Sequence, residues 1–287
     1  MAIRQAGFSL YFVRGILWFF RCRPDEKGEC VVKTVILCGG KGTRMREETE
    51  FRPKPLVSVG ENPIIWHIMK IYSHYGMNDF ILCVGYKGDM IKRYFMEMCW
   101  RNNDFTVNTG EAMNVAYHTA NAENWNVTVV DTGTETQTGG RIKQVKKYLD
   151  DEDFMLTYGD GLSNVNLRKL YTYHKLTGKV ATLTGVNPTS PFGVIQTENG
   201  VVTAFKEKPV LDDVINGGYM VLNRKIFDYL PEEDCAFEQE PLHQLAQESQ
   251  LAVYRHSGFW AAIDTYKDVE RVNALWKAGD APWKLWR

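Results

Sequence analysis

The sequence is short of net charge, of paired cysteine motifs and of long apolar runs. Its 34 lysines and arginines are offset by 35 aspartates and glutamates, a formal charge of −1 over 287 residues. No basic excess is present to neutralise a nucleic-acid backbone or an anionic bilayer, so neither is expected as the main partner. The six cysteines, at 22, 30, 38, 83, 99 and 235, form no C-x-x-C. Several sit in apolar runs, which suits buried free thiols in a reducing, cytoplasmic compartment. No repeat or low-complexity tract occurs. The apolar run from Gly7 to Phe20 is interrupted by Arg14 and is too short to span a bilayer. It could pass for a signal-peptide core or an interfacial helix, but no A-x-A-like cleavage site follows it. Motifs such as G-x-S-x-G are missing, so no protein nucleophile announces itself.

What is present is concentrated between Val32 and Pro55. Thr34-Val35-Ile36-Leu37-Cys38 is short, apolar and β-branched, as expected of a strand buried on both faces of a parallel sheet. It runs into Gly39-Gly40-Lys41-Gly42-Thr43-Arg44, where glycines let the backbone turn sharply and leave N–H groups free to face phosphate oxygens. Arg44 adds a permanently charged planar fork, and Lys54 a point charge between two prolines. A Gly-rich turn with two solvated cations is the plain alternative. A Walker-type loop is excluded by spacing, and the dinucleotide fingerprint fails because Met45 stands where its last glycine belongs.

The remaining pattern is that of an α/β protein. Leu56 to Val59 reads as a short strand, Asn62-Pro63 as the opening of a helix, and Asp79 to Val84 as a second buried strand. A helix follows Gly85-Tyr86-Lys87-Gly88. His67 and His74, two turns apart on the first helix, read as packing or surface residues and not as a metal pair. Residues 101–126 lack periodicity. Val127 to Val130 restores the sheet and leads to a polar loop, Asp131 to Gly140, then a short helix from Arg141 to Tyr148. Phe154 to Tyr158 delivers Gly159-Asp160-Gly161 to the same edge, where open α/β sheets bind ligands. Val194 to Phe205 is a hairpin around Asn199-Gly200, and a closing helix spans Tyr266 to about Ala278. Trp276, Trp283 and Trp286 read as a packed tail or a subunit contact. The fold class is a doubly wound, mostly parallel Rossmann-like sheet with an added β-hairpin and an α+β C-terminal portion. Residues 31–287 count as one domain and residues 1–30 as an atypical extension, either mis-started or non-functional.

The run G-G-x-G-T-R followed by P-K-P resembles the sugar-1-phosphate nucleotidyltransferases. Trp66 to Gly76, Asp131-Thr132-Gly133 and Thr138-Gly139-Gly140-Arg141 make the chain most similar to the branch of that family that joins CTP to glucose 1-phosphate. The resemblance covers about residues 32 to 287, and relatives begin near its start. It implies a nucleotide-diphospho-sugar transferase fold, a cytoplasmic homo-oligomer and Mg²⁺ as cofactor. It also implies roles. Leu37, Cys38, Gly39, Gly40, Lys41, Gly42 and Thr43 would hold the triphosphate, with Arg44 on the departing pyrophosphate and Lys54 between the reacting phosphates. Glu135, Thr138, Gly140 and Arg141 would line the base, beside Gly159. Glu207 would bind sugar hydroxyls, Lys208 the sugar phosphate, and Asp160 with Asp264 one metal ion. Departures are Arg52, where relatives usually carry lysine, and Ala261-Ala262-Ile263 before Asp264. A UTP- or dTTP-using enzyme and a non-catalytic, sugar-nucleotide-binding subunit are the alternatives.

Overall fold

The computed structural model describes residues 8–13, 16–21, 32–110, 114–118, 123–190 and 192–286. Seven strands form one sheet: β1 (Thr34–Cys38), β2 (Asp79–Val84), β3 (Asn126–Asp131), β4 (Asp153–Tyr158), β5 (Ala181–Val186), β6 (Ile215–Asn223) and β7 (Leu251–Arg255). Their order across the sheet is β7-β5-β6-β4-β1-β2-β3. Only β6 runs against the others; β1 pairs in parallel with both β2 and β4. The doubly wound, mostly parallel expectation holds.

Alternation along β1 divides the core. Ile36 and Cys38 face one buried cluster with the helix Ile64–His74, while Val35 and Leu37 face a second with Ile142, Phe154 and Phe227. All five residues of β1 are buried, which is why that strand reads as a continuous apolar run without polar alternation. The carboxyl ends of β1, β2, β3 and β4 emerge along one edge. A small ribbon then closes this edge: Gly161–Ser163 pairs antiparallel with Trp260–Ala262, and the Ile263 N–H donates to the Asp160 carbonyl at 2.9 Å. Two aspartates far apart in sequence are thereby carried to one place.

Several local expectations change. Asn62-Pro63 does lead into the helix, with Pro63 at its N-cap before Ile64, but the pair also forms a short antiparallel ribbon with Ser58–Val59. Thr138, Gly139 and Gly140, expected in a loop, form the first turn of the helix Thr138–Gln144. The Asp234 carboxylate accepts the Gln137 N–H just before that turn, and the glycines let Cys235 and Asp234 pack directly against it. The hairpin Val194–Glu198 with Val201–Lys206 turns at Asn199-Gly200 as expected, both at positive φ. Residues 8–13 and 16–21 pair as an antiparallel ribbon and not as a helix, in keeping with the aromatic and β-branched side chains of Phe8–Val13 and Ile16–Arg21. No helix among the described residues is long and apolar enough to cross a membrane.

The C-terminal tryptophans resolve as a packed tail. Trp283 is fully buried and its indole N–H faces His67 Nδ1 at 3.4 Å, while His67 Nε2 donates to the Val59 carbonyl at 2.8 Å. His67 is therefore a neutral core residue, as the packing interpretation expected. Burial lowers its pKa to about 4, against a partly opposing hydrogen bond to Val59. His74 is exposed at the other end of the same helix.

Candidate active site

A cavity of 300 Å³ opens at the carboxyl edge of the sheet. Its floor is the turn after β1: Leu37, Cys38, Gly39, Gly40, Gly42 and Thr43. Gly42 has φ +62, a conformation suited to glycine, and a Cβ there would meet Thr49 at 2.6 Å. The Thr49 hydroxyl, buried, lies 3.0 Å from the Gly42 carbonyl and 2.9 Å from that of Met45, fixing the turn from behind. The Cys38 thiol is part of this floor but is chemically quiet, since burial pushes its pKa well up.

Lys54 sits at the centre. Its residue is 8 % exposed, and its ammonium donates to Asp160 Oδ2 at 2.7 Å and Asp264 Oδ1 at 2.6 Å. Arg44 Nη1 donates to the other oxygen of Asp264 at 2.7 Å, from a side chain that is 74 % exposed. The short 3-10 turn Lys54–Leu56, with Pro55 inside it, holds the lysine backbone. Asp160 lies two residues past the end of β4, directly before the ribbon strand Gly161–Ser163, and Asp264 lies two past Trp260–Ala262, so the ribbon positions both. Two carboxylates thus converge on one cation. Among the described residues no group of three or more His, Cys, Asp or Glu makes an all-protein cage. A pair of convergent aspartates fits Mg²⁺, which commonly takes one or two carboxylates and completes its shell with substrate phosphates and water.

The far wall is made by Arg141, which is nearly buried. Its guanidinium donates to Thr132 Oγ1 (2.6 Å), Gly133 O (2.8 Å) and Val84 O (3.3 Å) through one nitrogen. The other reaches Gly39 O (3.1 Å) and Thr134 O (3.4 Å). Arg141 therefore ties the glycine turn to the loop after β3. A Cβ on Gly39 would lie 2.0 Å from that guanidinium, which explains a glycine there as room for arginine.

Most of the expected site residues meet here: the glycine turn, Arg44, Lys54, Thr138, Arg141, Gly159, Asp160 and Asp264 all line the cavity. Lys41 and Glu135 lie outside that lining and pair with each other at 2.7 Å. Gly140 packs against Asp234 instead of facing the cavity. Glu207 and Lys208 are not brought to it either; both are exposed beyond the hairpin, 3.7 Å from each other. Thr136 and Gln137, inside the stretch Glu135 to Arg141 expected at the base, also line the wall; unforeseen were Pro55 and Tyr158. The Tyr158 hydroxyl donates to Glu238, which also accepts from Thr138 Oγ1 at 2.6 Å. Tyr158 ends β4 directly before Gly159-Asp160, and that position was the available signal. Glu238 comes from a distant segment and has none.

A glycine turn facing a lysine shared by two aspartates, at the carboxyl edge of an α/β sheet, defines a site for handling phosphates. The chain belongs to the nucleotidyl transferase family, whose sequence model matches residues 33–281. Within that family it is 51% identical over 258 residues to the Bacillus subtilis (strain 168) protein described as "probable glucose-1-phosphate cytidylyltransferase". It is 46% identical over 257 residues to glucose-1-phosphate cytidylyltransferase of Salmonella typhi; each match covers 89% of this chain and 100% of the relative. In fold it is similar to the crystal structure of HddC from Yersinia pseudotuberculosis, with a TM-score of 0.64 at 21% identity, covering 86% of this chain and 100% of that one.

Proposed function

We propose that the protein transfers a cytidylyl group from CTP to glucose 1-phosphate, giving CDP-glucose and pyrophosphate. The observation that carries the reading is the buried Lys54 ammonium held between Asp160 and Asp264 at the mouth of the Gly39–Arg44 turn. The names of the cytidylyltransferase relatives supply the substrates. A phosphate monoester is already a nucleophile at neutral pH. Its oxygen attacks the α-phosphorus of CTP, the bond to the bridging oxygen breaks, and the electron pair leaves with pyrophosphate. Such a step needs alignment and charge, not a protein nucleophile.

The N–H groups of Gly39 to Thr43 face the triphosphate. Arg44, mostly exposed, leaves Asp264 to meet the departing pyrophosphate, and Lys54 stays between the reacting phosphates. Asp160 and Asp264 would hold Mg²⁺, which when bound neutralises phosphate charge. Base choice falls to the segment Glu135 to Arg141: cytosine offers an amino donor where uracil and thymine offer a carbonyl, so a fixed acceptor there selects CTP. Glu207 and Lys208 have no role in this reading. A homo-oligomer goes with it, supported by the exposed apolar residues Ile195, Val201, Val202 and Phe205 on one hairpin.

The test is turnover of purified protein with glucose 1-phosphate and each of CTP, UTP, dTTP and ATP, followed by pyrophosphate release. A strong preference for CTP is expected. Comparable kcat/KM for UTP or dTTP removes the cytidylyl assignment, and no turnover with any of them favours the non-catalytic alternative.

A further inference from the structure

The catalytic cavity has a charged part and an uncharged one. Arg44, Lys54, Asp160 and Asp264 gather at the glycine turn. Thr136, Gln137, Thr138 and Tyr158 line the rest, beside an Arg141 spent on Thr132 and backbone carbonyls. Two of these uncharged residues are tied to a single carboxylate that does not itself line the cavity. Glu238 accepts from the Tyr158 hydroxyl through one oxygen and from Thr138 Oγ1, at 2.6 Å, through the other. Its side chain is exposed, but its backbone is held. Phe237 before it is fully buried and donates its N–H to Thr138 Oγ1 at 2.8 Å. The Cys235 carbonyl accepts the Gly139 N–H at 2.9 Å, and the Asp234 carboxylate accepts that of Gln137. Residues 234–238 are thus stitched to the start of the helix Thr138–Gln144.

Counting protons shows what this does to the wall. A carboxylate has none to give, so each hydroxyl must point its own at Glu238. Burial, and after it the charge of Glu238, push the Tyr158 phenol well up, so it keeps that proton. The Phe237 N–H takes one lone pair of Thr138 Oγ1. Beside the phenol oxygen stands the Asn216 amide, whose own oxygen accepts the Gly218 N–H at 2.9 Å, leaving its NH₂ for Tyr158. Each hydroxyl therefore has an acceptor left for the cavity, and neither has a donor.

We infer that Glu238 is a specificity-determining, positioning residue of the nucleotide site: by holding Thr138 and Tyr158 as acceptors, it makes this wall take the amino edge of cytosine and refuse the carbonyl edge of uracil or thymine. The inference deepens the cytidylyl-transfer reading and rests on it for the nucleotide. The phosphates claim the charged part of the cavity, which leaves the uncharged wall to the base. A hydroxyl on its own turns to give or take a proton as its ligand requires, so Thr138 and Tyr158 alone would not discriminate. Glu238 removes that freedom. With UTP an acceptor then faces an acceptor, and both lose their partners.

Steady-state kinetics of the full chain with CTP and with UTP, each against glucose 1-phosphate, test it. Glutamine is the informative replacement, because its amide still bridges both hydroxyls yet must donate to one of them. That hydroxyl is then released to turn its proton into the cavity and meet a uracil carbonyl. In Glu238→Gln the CTP-to-UTP ratio of kcat/KM should fall about tenfold, chiefly through a lower KM for UTP. A purely structural brace would leave the ratio alone, since glutamine keeps the brace. Tyr158→Phe removes one acceptor and leaves the bond between Glu238 and Thr138. It should lower the ratio as well, and it decides the matter if Glu238→Gln does not fold. A wild-type ratio in folded Glu238→Gln overturns the inference. So does a raised KM for glucose 1-phosphate with the ratio kept, which would put the sugar and not the base on this wall. Equal use of CTP and UTP by the wild-type protein instead removes the cytidylyl reading, and this inference with it.

Discussion

Strand β4 carries an aspartate at each end of its run, and the two have opposite fates. Asp153 opens the strand and is buried under Lys175 (2.5 Å), Asn223 (2.8 Å) and His174 (3.5 Å). Asp160 lies just past its carboxyl end and shares the Lys54 ammonium with Asp264, with its side chain still 31 % exposed. Both are aspartates paired to lysine; the difference is completion. At the amino end every carboxylate oxygen is met by the chain's own donors. At the carboxyl end the donors are shared between two acids, and the remaining faces open on a cavity. The first arrangement contributes to stability, and the second stands ready for a ligand. A carboxylate's function is read from what its partners leave unfinished.

The sharpest test is Lys54→Ala. Losing a cation that acts on the transition state in a water-poor site costs on the order of 3 kcal/mol, about a hundredfold in kcat. Thermal unfolding should move little, since both carboxylates can turn to solvent. Near-normal turnover in a folded variant would erase the distinction between the two ends.

Asp160→Asn and Asp264→Asn come next. Each should raise the Mg²⁺ concentration needed for half-maximal rate several-fold and lower turnover, with the circular dichroism spectrum unchanged. Asp153→Asn is the paired control and should leave the Mg²⁺ titration where it was. An unshifted curve for Asp160→Asn or Asp264→Asn removes that residue from the metal site.

Asp153→Asn should instead act on stability. Burial alone would raise the pKa of this carboxyl, but hydrogen bonds from His174 and Lys175 outweigh it and hold the value down at about 2. Its folded pKa is below the unfolded 3.8, so its contribution is complete above pH 3.8 and is lost as pH falls through about 2. The shift corresponds to about 2 kcal/mol. Urea unfolding at pH 7 should show a loss of that order in Asp153→Asn, with kcat per folded molecule intact.

The smallest effect separates this acid from His67. Buried and neutral with a pKa near 4, His67 costs stability as pH falls below 6.5, because the unfolded chain takes up the proton first. Between pH 7.5 and 6 the loss should be about 1 kcal/mol, far above the range where Asp153 titrates. His67→Gln should flatten this limb of a urea-midpoint series; an unchanged slope would assign it to another group.

How far the sequence led is visible in these same residues. β1 and the glycine turn were legible because a buried parallel strand and a phosphate-binding turn each leave a local pattern. The hairpin at Asn199-Gly200 was legible for the same reason. Asp160 and Asp264 could be named from resemblance alone, since their meeting depends on the ribbon Gly161–Ser163 with Trp260–Ala262, a long-range pairing without periodicity. Thr138 to Gly140 misled because two glycines argue against a helix, yet contacts with Asp234 and Cys235 override that propensity. Asp153 passed without notice, as an aspartate at a strand's start carries no mark of being buried. Glu207 and Lys208 stand apart for now, expected at the sugar and found outside the cavity.

Arg44 and Lys54, the two cations that face the glycine turn, are already matched by the two aspartates of the resting cavity. Arg44 is held by Asp264 and Lys54 by both aspartates, while Lys41 is held by Glu135 just outside the lining; Arg141 donates to backbone carbonyls and keeps its charge. An incoming polyphosphate therefore meets only a small positive excess, that of the recessed Arg141, and not the strong field that steers anions from a distance. It enters by counterion exchange, displacing carboxylates from cations already at hand, and a metal ion arriving with it would compensate the acids set free. Its encounter rate should accordingly vary only weakly with ionic strength, as for partners whose charges are neutralised within a Debye length of about 8 Å.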